Sequence, residues 1–109
     1  MSAYCIAHMR TVTMGPAIVE YLERIDATLA PFDGRFIIHG GEAEVLEGSW
    51  PGFAIVLEFP DAAQARAWYQ SDAYREIAAL RSDNSESDII VVDGVSSDHR
   101  ATDVLTASR

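Results

Sequence analysis

Apolar and polar positions follow two rhythms along this chain, one of two residues and one of three to four, and these divide it into strands and helices. Residues 3–9 are a short apolar-rich run free of glycine and proline, which predicts a strand. Gly15 and Pro16 then start a helix, because proline at the first helical position gives up no intrahelical hydrogen bond. Ile18, Leu22, Ile25 and Leu29 follow at spacings of four, three and four, a single apolar stripe with Glu20, Glu23 and Arg24 elsewhere on the cylinder. Pro31 ends that helix.

Asp33-Gly34 is a turn signal, and residues 35–39 alternate as a strand does. Gly40-Gly41 suits a two-residue hairpin, with 42–47 as its returning strand and 48–52 a loop carrying Trp50. Residues 53–59 are the most hydrophobic strand, closed by Pro60. Asp61 caps a second helix in the manner of a capping box with Gln64. That helix runs through Trp68 and Tyr69, and Ser71 or Asp72 re-caps a further helical segment to about Leu80. After a polar break at 82–87, residues 88–95 form the last strand, and 96–109 are a small, polar, aperiodic tail expected to be mobile.

The order predicts an α+β fold: a ferredoxin-like βαββαβ plan with an antiparallel sheet and one added hairpin strand. It occupies residues 1–95, one domain as 109 residues allow, with 96–109 outside it.

Side-chain parity sorts each strand onto two faces. Two helices cover one face, and the more uniformly apolar parity belongs under them. The other face is then expected to carry Tyr4, His8, Arg35, His39, Glu58 and Asp93 amid Ile6, Ile37, Val56, Ile89 and Val91. It is too apolar to leave wet and too polar for a plain core. Pairing of two such sheets, a homodimer, would bury it as a barrel with a polar-lined interior.

Charge narrows the partners. Seventeen acidic residues stand against eight basic ones, all arginine, for a formal charge of −9. So acidic a domain is repelled by phosphate backbones and anionic lipid, so neither nucleic acid nor membrane is an expected partner. Cys5 is the lone cysteine and sits in an apolar run, where an inert buried thiol is expected. With no basic-then-apolar leader and no run near the ~20 apolar residues of a membrane span, the expected location is cytoplasmic.

Several short motifs stand in a telling order: Gly34-Arg35-Phe36, Gly40-Gly41, Glu44-Val45-Leu46-Glu47-Gly48 and Trp50, then Glu58-Phe59-Pro60, Ala67-Trp68-Tyr69, Ser71 and Tyr74. In this arrangement the chain, over roughly residues 3–95, resembles the family known as domain of unknown function 1330. The resemblance implies a dimeric α/β barrel, similar in fold to cofactor-free monooxygenases, lactone isomerases, haem enzymes and small stress-response proteins. No activity comes with it. Two departures are visible: Pro51-Gly52-Phe53 lacks the basic residue expected before the long strand, and Asp72-Ala73 stands where Pro-Glu is commoner.

For chemistry, His8 and His39 are the candidates for proton transfer, since histidine titrates near neutral pH. Glu58 and Asp93, on the same inferred face, would orient an imidazole or act as base, and Arg35 would hold a carboxylate or enolate oxygen bidentately. Tyr4, Trp50, Trp68, Tyr69, Tyr74 and Asp93 complete the expected substrate-binding set, although the four aromatics at 50, 68, 69 and 74 serve equally as packing anchors. A strand-based His pair with a carboxylate could bind a divalent metal, but the spacing is not diagnostic, and with no phosphate loop, nucleophile elbow or paired-metal signature present, no cofactor or metal is expected. Two functions stand. One is a cofactor-independent enzyme (isomerase, cyclase or monooxygenase-like) acting on a small, apolar, oxygenated molecule inside the barrel. The other is a non-catalytic binding or dimerisation module in which the polar groups only set register.

Overall fold

The computed structural model describes residues 1–106. Strand β1 (Ala3–Val12) runs through the middle of the sheet, and its inner positions Ala3, Cys5, Ala7 and Met9 are all buried. Helix α1 (Pro16–Leu29) follows with Pro16 in its first turn, and it buries Ile18, Tyr21, Ile25, Thr28 and Leu29 on one side. A 3₁₀ turn (Ala30–Phe32) holds Pro31 and ends at Asp33, whose φ of 55° is left-handed. Strands β2 (Arg35–His39) and β3 (Phe53–Phe59) come next, then α2 (Ala62–Gln70), α3 (Asp72–Ser82), β4 (Ser85–Asp93) and a single helical turn, α4 (Asp103–Thr106).

The helix starts follow the local chemistry. The Gln64 amide donates to the Asp61 carboxylate at 2.8 Å. Ser71 serves both neighbours: its hydroxyl donates to the Trp68 carbonyl at 2.7 Å and accepts from the Tyr74 amide at 3.3 Å. Ser71 is thus the cap of α3, and Asp72 lies in the first turn, where a carboxylate suits the helix dipole.

The four strands form one antiparallel sheet in the order β2-β3-β1-β4, the expected ferredoxin-like plan. Between the inner sheet face and the helices lies a core of Cys5, Tyr21, Ile25, Leu29, Leu57, Phe59, Ala65, Trp68, Tyr74 and Ile77. The expected added hairpin strand is not there. Gly40 turns away in the left-handed region, and residues 41–52 cross to β3 as a loop. Glu42, Ala43, Glu44 and Glu47 give that segment little strand propensity. The bulge in β2 also bends the edge on which it would have paired.

That bulge corrects the expected faces. Arg35 pairs with Glu58 and Phe36 with Leu57, but Ile38 pairs with Val56 and His39 with Ile55, so Ile37 is the extra residue. His39 is thereby turned to the helix side with Phe36, and Ile38 takes the open side. A second correction concerns β4. Ala3 pairs with Asp93, Cys5 with Val91 and Ala7 with Ile89, which puts Ile89, Val91 and Asp93 on the helix side. Asp88, Ile90 and Val92 face the open side instead. β1 and β3 keep the expected parity.

On the open face, Ile38, Val56, Ile6 and Ile90 stand side by side across all four strands. Polar pairs flank this apolar band. Arg10 pairs with Asp88, and Glu58 receives Arg35 Nη2 at 2.6 Å and the Tyr4 hydroxyl at 3.4 Å. No described helix is long and apolar enough to cross a membrane.

Candidate functional site

β1 presents the small side chains of Cys5 and Ala7 to the helices. The space they leave is a cavity of about 280 Å³ between the sheet and α1, α2 and α3. Ile18, Ile25, Leu57 and Ile89 supply apolar wall, and the exposed lining residues Met14, Leu22, His39 and Tyr69 meet solvent. This cavity lies within one chain, whereas the one expected from sequence lies between two paired sheets.

Seven side chains with a polar group line it: Cys5, Tyr21, His39, Trp68, Tyr69, Tyr74 and Arg81. Three of them form a chain of hydrogen bonds. The Tyr21 and Tyr74 hydroxyls lie 2.9 Å apart, and Arg81 Nε donates to the Tyr74 oxygen at 3.4 Å. Arg81 Nη1 donates to Ser87 Oγ at 3.0 Å, tying α3 to β4. Arg81 is 7% exposed, and among the described residues it makes no ion pair. Burial, reinforced by Tyr74, pushes the Tyr21 hydroxyl up, so it stays a neutral donor. Burial also pushes the Cys5 thiol up to about 11 against a smaller opposing pull from Arg81, which keeps it protonated and unreactive at neutral pH.

Of the residues singled out from sequence, the cavity gathers His39, Trp68, Tyr69 and Tyr74. The His39 ring stacks on Phe36 at 4.2 Å. Trp68 packs its ring 4.2 Å from that of Tyr74 and donates Nε1–H to Thr28 Oγ1 at 2.9 Å. Tyr4, Arg35 and Glu58 are on the other side of the sheet. Asp93 lies exposed at the end of β4. Tyr21 and Arg81 were not among the expected site residues. Their signal was periodic: Tyr21 lies between Ile18 and Ile25 on the α1 stripe, and Arg81 is seven residues, two helical turns, beyond Tyr74. Among the described residues no three His, Cys, Asp or Glu side chains converge as metal ligands.

His8 and Trp50 meet outside the cavity. Their rings stack at 4.1 Å with 12° between planes, and His8 Nε2–H donates to the Pro51 carbonyl at 2.7 Å. Gly52 makes this contact feasible. Its φ is +79°, and a Cβ there would run into the Met9 carbonyl oxygen on the neighbouring strand. Gly52→Ala should therefore push the loop off β1 and cost about 2 kcal/mol in chemical denaturation. A variant as stable as the parent would show that the loop does not rest on β1 in this way.

Comparison with known proteins agrees with this fold. The chain matches the family described as Domain of unknown function (DUF1330) over residues 2–95. No curated protein sequence matches it. Among solved structures it is similar to RPA0582, a protein of unknown function from Rhodopseudomonas palustris, at 16% identity and a TM-score of 0.64, covering 87% of this chain and 83% of that one. A dimeric ferredoxin-like protein of unknown function from Jannaschia sp. CCS1 superposes with a TM-score of 0.65 at 8% identity, over 86% and 100% of the two chains. SnoaB, a cofactor-independent oxygenase from Streptomyces nogalater, superposes with a TM-score of 0.53 at 11% identity, over 91% and 96%. At these identities the likeness is one of fold.

Proposed function

The chain belongs to the Domain of unknown function (DUF1330) family, whose description carries no activity, and on the strength of its cavity we propose that it binds and transforms a small, largely apolar oxygenated molecule without a cofactor. The observation that carries this reading is the space of about 280 Å³ over β1, close to the ~300 Å³ at which ligand pockets begin. Its wall is mostly aliphatic and aromatic, with a few polar groups gathered around Tyr21, Tyr74 and Arg81. Isomerisation, cyclisation or oxygenation through an enolate-like intermediate fits such a lining. On this reading His39, which lines the cavity and is open to solvent, takes the proton, and the buried donors hold the oxygen that gains charge. The activity of SnoaB on the same fold supports the class of reaction by analogy.

Two chains are proposed to pair through the open sheet face. The band of Ile38, Val56, Ile6 and Ile90 is a contiguous apolar surface of the kind that marks an interface. The Jannaschia neighbour is itself described as dimeric. In this arrangement Tyr4, His8, Arg35 and Glu58 set register between the sheets, apart from the chemistry.

A second reading has one observation in its favour. Among the described residues His39 makes no side-chain hydrogen bond, so its imidazole is held by the stack on Phe36 and by no polar partner that would raise its basicity. On that reading the chain binds its ligand and does nothing to it.

Native mass spectrometry of freshly purified protein should show two chains, with a small molecule released on denaturation. A monomer would remove the dimer from this account. With the released molecule, or its precursor, as substrate, His39→Ala should lower turnover by about 10²–10⁴-fold while leaving binding in place. Unchanged turnover would take the base role from His39, and binding with no turnover by the parent would establish the second reading.

A further inference from the structure

We infer that Arg81, Tyr74 and Tyr21 form a seat for the anionic oxygen of a small organic acid, a carboxylate or a phenolate carried on an apolar body. This rests on the cavity reading above and adds the chemical class of the ligand to it.

Counting donors leads there. Arg81 has five N–H groups and accepts nothing. Nε goes to Tyr74 and one N–H of Nη1 to Ser87, and the guanidinium also interacts with the Tyr21 hydroxyl, which still leaves N–H groups over. Tyr21 and Tyr74 hold one O–H proton each, and the bond between them uses one of the two whichever donates. One phenolic proton is therefore left over in either arrangement. The cluster has spare donors and a full positive charge, with no carboxylate within ion-pair distance among the described residues. The nearby thiol of Cys5, protonated at neutral pH, supplies no negative charge.

A cation taken out of water without a counter-ion is unfavourable by a wide margin. The two phenols and Ser87 meet part of its demand, and none of its nitrogen atoms is both buried and unpartnered, so the remaining N–H groups reach the solvent of the cavity. An oxyanion in the cavity would supply the missing charge and accept both the spare guanidinium and phenolic protons, and such charge-assisted bonds are the strong ones. Ile18, Ile25, Leu57 and Ile89 in the same wall ask for an apolar body. A dry cavity of roughly 150 Å³ already holds benzene, so about 280 Å³ accepts a ring with a charged substituent.

The test is calorimetric titration of the full-length chain with three probes of similar shape in mildly alkaline buffer: benzoate, 4-nitrophenolate and neutral benzamide. At least one anion should bind about tenfold or more tightly than benzamide, the scale of a single charge-assisted hydrogen bond. Whichever anion wins identifies the source of the oxygen. Tyr21→Phe and Arg81→Lys, with folding checked by circular dichroism, should each weaken anion binding more than benzamide binding and so reduce that preference. A purely structural Arg81 would not move this selectivity. Equal binding of all three probes would overturn the anion seat while leaving the cavity reading intact. A preference unaffected by both substitutions would also overturn it, since the anion would then lie elsewhere. Binding by none of the three would remove the seat and the cavity reading together.

Discussion

Trp68→Ala is expected to cost about 3–5 kcal/mol of stability, a large share of the roughly 5–15 kcal/mol a domain commands. Trp68 is 2% exposed and lies at the junction of α2 with the cavity wall. Its ring packs 4.2 Å from Tyr74 and 5.6 Å from Phe59, and both of those neighbours are 1% exposed. Truncation removes that packing and also deprives Thr28 Oγ1 of its indole donor, though Thr28 keeps its own bond to the Ile25 carbonyl. The deleted volume would merge with the cavity already present, so the wall has little to collapse onto. The melting temperature should fall by roughly 15 °C or more, followed by circular dichroism. A fall of only a few degrees would mean that Trp68 does not hold α2 to the sheet as described.

The second large effect is alkaline. The Cys5 thiol is pushed up to about 11 from an ordinary value of 9.0, chiefly by burial. A raised acid is stabilising while protonated. Its contribution is complete below pH 9 and is lost as pH climbs through about 11, because the unfolded chain releases its proton first. The two-unit gap corresponds to about 3 kcal/mol across that window. Tyr21, raised for the same reason, steepens the loss at the upper end. Urea denaturation at pH 8, 9.5 and 11 should show stability falling, and Cys5→Ala should flatten the decline. Parallel declines in parent and variant would place the alkaline sensitivity on another group. The same burial predicts that Cys5 resists thiol reagents at pH 8 in the folded protein and reacts once it unfolds.

Much of this architecture was legible in residue order alone. The α1 stripe, Pro16 at its start, the Asp61 and Ser71 caps and the inward parity of β1 and β3 are short-range facts. Each depends on a local period or on a hydrogen bond three residues long. The polar and apolar alternation of Tyr4, Ile6 and His8 against Cys5, Ala7 and Met9 left β1 only one way to face. The α4 turn at Asp103–Thr106 carried no comparable signal; of the expected tail, residues 107–109 lie outside the described residues.

The open-face list failed where local signals run out. In β4, Ile89, Ile90, Val91 and Val92 are apolar on both parities, so composition cannot say which side looks inward. Pairing of Cys5 with Val91 and of Ile6 with Ile90 decides it. In β2 one extra residue, Ile37, reverses everything after it and carries His39 from the open face to the cavity.

By itself, then, the sequence determined the βαββαβ plan, the helix boundaries and an apolar sheet face that the chain's own helices leave uncovered, because propensity, periodicity and capping act over a few residues. Only the tertiary structure decided where the cavity lies and which polar groups share it. A void is the sum of what many distant side chains fail to fill, and the meeting of Tyr21, Tyr74 and Arg81 needs α1 to pack on α3. Neither can be read from a local period, since both are set by strand register and helix packing across the whole domain.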